Sequence, residues 1–173
     1  MPPVAWMIDD LSRDDLVATV GTRWQLVTDQ VMGGVSKGTL YRETVEGRPA
    51  LCMRGDVSLE NNGGFVQMAL DLAPDGGVMD ACEWRGIELD VMGNDEEYGF
   101  HLRTDAVQRP WQSYRQSFRA EPSWRTIQLA FIDFAPHRID VPLDVRRLRR
   151  MGLVAIGRAF AADLAVGGAR FFG

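Results

Sequence analysis

Ile87-Glu88-Leu89-Asp90-Val91-Met92 alternates apolar and acidic side chains one for one. After the polar link Gly93-Asn94-Asp95-Glu96-Glu97, the pattern resumes in Tyr98-Gly99-Phe100-His101-Leu102-Arg103. Strict alternation is the mark of a strand with one buried face, because successive side chains leave opposite sides of the pleat. Ile87, Leu89 and Val91 therefore share one face, and Tyr98, Phe100 and Leu102 share another. Joined by a short link, the two strands are expected to lie side by side. With Gly93 opposite Tyr98, Asp90 would face His101 and Glu88 would face Arg103, pairing opposite charges across the strands.

The period of two continues outward from this pair. It recurs in Trp124–Phe131 through Ile127, Leu129 and Phe131. Further strands are expected at Trp24–Thr28, Thr39–Thr44, Ala50–Arg54, Phe65–Asp71, Ser113–Arg119, Met151–Ile156 and Asp163–Phe172. Their spacing, with Gly, Asp and Pro between them, predicts an all-β antiparallel sandwich of about ten strands. Helix signals are few. Ser12-Arg13-Asp14-Asp15 suits the cap of a short turn, and Leu143–Met151 suits another. A chain of 173 residues with neither repeat nor low-complexity tract fits one domain over residues 1–173.

Composition narrows the function classes. The net charge of −5 argues against broad binding of nucleic acid or an anionic membrane surface, which calls for a basic face. Of the basic residues only Lys37 is lysine; the rest are arginine. Cys52 and Cys82 form neither a Cys-x-x-Cys pair nor a disulfide framework, which fits a reducing compartment. Residues 1–10 lack the basic start and apolar run of a signal peptide, and no apolar run approaches membrane-spanning length. A cytoplasmic protein without membrane insertion is expected.

Two glycine loops stand out between the strand patterns. One is Asp29-Gln30-Val31-Met32-Gly33-Gly34-Val35-Ser36-Lys37-Gly38, the other Asn61-Asn62-Gly63-Gly64-Phe65. Paired glycines permit left-handed backbone and close approach of another chain or a ligand. The first loop is not a phosphate loop: its Lys precedes the last Gly, and a strand rather than a helix follows. The run Trp24-x-x-x-x-Asp29-x-x-Met32-Gly33-Gly34-x-Ser36-x-Gly38 resembles the opening motif of the complex I intermediate-associated protein 30 family. Gly55-x-Val57-Ser58-Leu59-x-Asn61-Asn62-Gly63-Gly64-Phe65 resembles its second motif. Shorter similarities follow at Arg85-Gly86-Ile87, Tyr98 to Thr104, Ser113-Tyr114-x-x-x-Phe118, Trp124, Phe131-x-x-Phe134 and Met151-Gly152-Leu153, so the likeness spans about residues 20–172. The resemblance implies a jelly-roll β-sandwich like the galactose-binding domains. It also implies a role in assembling respiratory complex I through a protein partner. The compact form resembles a bacterial-type member.

Candidate binding residues follow from the two loops and their surroundings. Asp29, Ser36, Asn61 and Asn62 either bond loop backbone or form a polar rim for a ligand or partner. Met32, Gly33, Gly34, Gly63 and Gly64 either shape turns or line that surface. Trp24, Trp84, Trp111 and Trp124 serve the core or a sugar-stacking platform, and Trp111, after Arg109-Pro110, is the one expected at the surface. Arg103, Arg115 and Arg119, on outward positions, either pair with Glu88 or bind an anion. His101 and His137 fit no nucleophile or metal spacing and read as surface or ion-paired histidines. Glu88 and Asp90 read as polar-face residues rather than a hydrolytic dyad. Asp95-Glu96-Glu97 lacks a calcium-loop pattern, and Arg146–Arg150 reads as a solvated basic turn. The expectation is a non-catalytic binding or assembly module with neither cofactor nor metal. Its partner would be a respiratory-complex subunit or assembly intermediate, held by the two loops with Arg103 and Trp111 beside them. The alternatives are a carbohydrate or small-ligand module and an unrecognised hydrolase.

Overall fold

The computed structural model describes residues 5–173. The reading of the first four residues as no part of a signal peptide lies outside them, as does the Asn62 side chain. Among the described residues twelve strands form: β1 (Ala5–Asp9), β2 (Gln25–Thr28), β3 (Lys37–Val45), β4 (Arg48–Val57), β5 (Phe65–Asp71), β6 (Gly86–Gly93), β7 (Glu96–Thr104), β8 (Ser113–Ala120), β9 (Arg125–Ala130), β10 (Ala135–His137), β11 (Leu148–Ile156) and β12 (Phe160–Phe172). All pair antiparallel, in two six-stranded sheets. The first runs β3-β4-β12-β6-β9, with β1 paired to the far end of the long β12; the second runs β10-β8-β7-β11-β5-β2. The fold is a jelly-roll β-sandwich of the galactose-binding type.

The inward residues of both sheets meet in one core. Tyr98, Phe100 and Leu102 of β7 and Ile87, Leu89 and Val91 of β6 are all buried there, as their alternation requires. Trp24, Tyr114 and Phe171 are among the largest fully buried side chains. A buried side chain of the Leu, Val or Phe class contributes about 1.5–3 kcal/mol, so this shared layer is what holds the sheets face to face. The Trp24 indole N–H donates to the buried Asp9 carboxylate at 2.8 Å, which ties β1 to the core.

The expected β6–β7 pair does not form. β6 lies between β12 and β9, with Asp90 opposite Gly168 and Thr126, while β7 lies between β8 and β11 in the other sheet. The link is therefore a corner between sheets. Asp95 adopts a left-handed φ of 64° there, and the Asn94 amide donates to the Ala161 carbonyl at 2.8 Å. Gly93 makes the corner possible: a Cβ on it would lie 2.5 Å from that of Ala120 and 3.1 Å from two carbonyl oxygens. Glu88 and Asp90 pair instead with arginines of their own sheet: Arg170 reaches both, and Arg48 reaches Asp90 at 2.6 Å.

Two turn expectations change in detail. Residues 13–16 form bends rather than a helical turn, because Ser12 donates its N–H to Asp10 and its side chain caps nothing in this segment. The second turn shrinks to a 3-10 turn at Val145–Arg147, capped by Asp144 and running straight into β11. Its basic run is ion-paired in part, Arg146 to Asp144, Arg147 to Asp105 and Arg150 to Asp71.

Candidate functional site

The two glycine loops meet on one carboxylate. Asp29 opens a 3-10 turn, Asp29–Met32, capped by the Thr28 hydroxyl, and its side chain is fully buried. Oδ1 accepts the Ser36 N–H at 3.0 Å. Oδ2 accepts the Ser36 hydroxyl at 2.5 Å, the Gly64 N–H at 2.5 Å and the Phe65 N–H at 3.2 Å. The Ser36 hydroxyl in turn accepts the Ser58 N–H at 2.8 Å. Burial opposes ionisation of Asp29, but the Ser36 hydroxyl and the N–H groups of Gly64, Ser36 and Phe65 outweigh it and hold the carboxyl below its ordinary range. Gly34 and Gly63 flank this carboxylate so closely that a Cβ on either would stand 2.5 Å from one of its atoms.

The polar groups of Asp29 and Ser36 are thus spent inward, and these residues shape the loops rather than rim them. Outside the knot the two loops expose apolar side chains among the polar Gln30, Lys37 and Glu60. Val31 is 72% and Met32 52% exposed, Leu59 of the second loop is 52% exposed, and Val35 joins them. Asn61 is also exposed, with a left-handed φ of 57°. Nothing in the spacing of Asp29 and Gly64 signals that the carboxylate turns inward; the cue is the Gly-Gly pair in each loop, which leaves room for a buried side chain.

Arg103 and Trp111 stand away from this knot, on and beside the outer face of the second sheet. Gly99, His101 and Arg103 of β7 face outward beside Ser117, Arg115 and Ser113 of β8, and beside Val154, Gly152 and Arg150 of β11. This face carries two adjoining depressions, about 180 and 60 Å³, which share Arg103 and Arg150 as walls, with Gly152 in the lining of the smaller one under the Gln67 side chain. The loop before β8 closes one side, with Pro110 and Gln112 lining the smaller depression. Gln112 braces that loop, accepting the N–H groups of Gln108 and Arg109 and donating to the Arg138 carbonyl. Trp111, half exposed, stands between Pro110 and Gln112 in that loop.

The electrostatics of this face differ from the ion-paired reading of its histidine. His101 has no carboxylate beside it: burial, with help from the charge of Arg115 and from His137, pushes its pKa down to about 3, so the imidazole is neutral. Arg119 pairs with Asp95 at 2.9 Å rather than with Glu88, and Glu96 pairs with Arg158, so this acidic link is occupied by arginines. The other tryptophans pack: Trp24 is in the core, Trp84 lies against it, and Trp124 donates to the Val45 carbonyl beneath the Arg48 guanidinium.

No curated protein matches the chain. Among solved structures, the family 11 carbohydrate-binding module of the cellulosomal cellulase Lic26A-Cel5E of Clostridium thermocellum superposes with a TM-score of 0.77 at 16% identity, over 100% of this chain and 96% of that one. The family 11 module from Clostridium thermocellum in complex with a β-1,3-1,4-mixed-linked tetrasaccharide gives 0.75 at 16% identity, over 100% and 98%. A family 30 carbohydrate-binding module gives 0.68 at 13%, over 97% and 87%. At such identity the likeness concerns the fold. The sequence itself matches the family model for complex I intermediate-associated protein 30 (CIA30) over residues 17–166, and the chain belongs to that family.

Proposed function

We propose that this domain is a non-catalytic assembly module of the cytoplasm that holds a protein partner, a respiratory-complex subunit or an assembly intermediate, on the surface of the joined glycine loops. The observation that carries this reading is the Asp29 knot. It turns the Asp29 and Ser36 side chains inward and leaves Val31, Met32, Val35 and Leu59 outside. Clustered exposed apolar side chains on a rigid base are what a protein interface presents, and methionine adapts to an apolar partner surface. Membership of the complex I intermediate-associated family supports a protein as the occupant. The test is affinity capture from native lysate with wild type and Val31→Asp/Met32→Asp, whose exposed positions leave the thermal midpoint unchanged. Respiratory-complex subunits held by wild type and lost from the variant are expected. Identical captured sets, or sets without such subunits, would overturn the reading.

A second reading, a carbohydrate or small-ligand module, has its own observation. The depressions beside Trp111 are walled by polar side chains, the smaller with Gly152 of a strand interior in its lining, and the structural neighbours include carbohydrate-binding modules. A glycine in a strand interior often marks a place where a ligand comes close.

A further inference from the structure

The two depressions on the second sheet are strongly cationic in a chain whose net charge is −5. Four arginines line them, Arg103, Arg115, Arg149 and Arg150, against one carboxylate, Asp71. That carboxylate is already engaged by Arg150 at 2.7 Å. Among the described residues, Arg103, Arg115 and Arg149 form no ion pair. Elsewhere most arginines have a carboxylate beside them, as Arg48 and Arg170 have Asp90, although among the described residues Arg23, Arg85, Arg109 and Arg138 also form no ion pair. The face is assembled by pairing: β7 and β11 set Arg103 directly across from Arg150, and β7 and β8 set His101 across from Arg115.

Holding like charges together in partly buried positions is costly. Burial first, then the neighbouring Arg150 and Arg149, lower the pKa of Arg103 from its ordinary value, though the guanidinium stays charged. Burial first and then Arg138 do the same to Arg115. Arg103 meets only the Arg109 carbonyl, at 3.4 Å, and Arg115 only the Ser113 hydroxyl through Nε. Their remaining N–H groups can take oxygen acceptors, and a guanidinium matches a carboxylate or phosphate with two parallel bonds. His101, uncharged on the floor, competes for no anion and offers one donor and one acceptor.

We propose that this depression binds the acidic group, carboxylate or phosphate, of a small hydroxylated ligand of the sugar class. Arg103 grips the acid, Arg115 and Arg149 flank it, and the Ser113 hydroxyl in the lining meets a ligand hydroxyl. The inference rests on the second reading above, of a ligand on this face, and adds the ligand's charge.

The test is calorimetric titration of the full chain with three probes: trigalacturonate, glucose 6-phosphate and neutral cellotetraose, each at low and raised salt. At least one acidic probe is expected to bind about tenfold or more tightly than cellotetraose, a difference of the size given by charge-assisted hydrogen bonds. Its affinity falls as salt rises, and falls about tenfold again in Arg103→Gln. Arg149→Gln, at an exposed position, weakens it in the same direction and serves if Arg103→Gln does not fold. Which acidic probe binds separates a sugar acid from a sugar phosphate. Cellotetraose binding as well as both acidic probes, insensitive to salt and to both variants, would overturn the charge inference and leave the ligand reading standing. Silence from all three probes would overturn both.

Discussion

Asp29 is a buried negative charge answered by N–H and O–H donors rather than by a cation. Because its folded-state carboxyl sits below its ordinary 3.8, it contributes stability that is fully present above that value and is lost as pH falls through the folded value. Asp29→Asn presents an amide NH₂ to donors that wanted an oxygen, so a loss of about 2–4 kcal/mol is expected at neutral pH. Urea denaturation measures it, and the gap between wild type and variant should narrow as pH drops below about 4. A gap that holds constant down to strong acid would mean that Asp29 is not the charge that joins the loops. At this scale the sequence is readable in kind but not in direction. The glycines and small polar residues mark a joined surface. The sense of Asp29 depends on Gly64 and Phe65, thirty-five residues on, and one sequence does not show that contact.

Elements are legible where alternation is long and fail where geometry is non-local. β6 and β7 carry their burial pattern openly, yet their adjacency in the chain suggests a hairpin that the fold replaces with a corner. The difference lies in Gly93, pressed between Ala120 and the Asp163 carbonyl, and in the left-handed Asp95. Gly93→Ala forces its Cβ onto backbone and onto another Cβ, neither of which can swing aside. An overpacking loss of about 1–3 kcal/mol is expected from thermal or urea unfolding. A neutral effect would mean that the corner can relax. β1 and β10 escape the sequence reading for different reasons. β10 has three residues with Pro136 among them, and proline argues against a strand except at an edge, where β10 lies. β1 has five residues and pairs only with the far end of β12, so little of its pattern repeats. The arginine face is legible in part: Arg103 and Arg115 occupy outward positions by alternation alone. Arg149, Arg150 and Gly152 join them only through the β7–β11 ladder, nearly fifty residues away in sequence.

Taken whole, the sandwich separates two surfaces that the sequence suggested were one. The second glycine loop leads into β5 at Phe65, while Arg150 and the Arg103 opposite it lie at the other end of that strand, beside Asp71. Six residues of extended strand put about 20 Å between them. Over that distance, with no shared side chain, changes at the two sites should add within about 0.5 kcal/mol. The double variant Met32→Asp/Arg103→Gln should therefore lose partner capture to the extent of Met32→Asp alone. It should lose acidic-probe affinity to the extent of Arg103→Gln alone. Calorimetry on the two single variants and the double variant gives the coupling term for the probe, and quantitative capture gives it for the partner. A coupling well beyond that limit would place partner and ligand on one continuous surface that crosses the Ile156 end of β11, where Gly157 donates its N–H to the Gly64 carbonyl. In that case the jelly roll would act as a single ligand-gated docking face rather than as a scaffold carrying two independent ones.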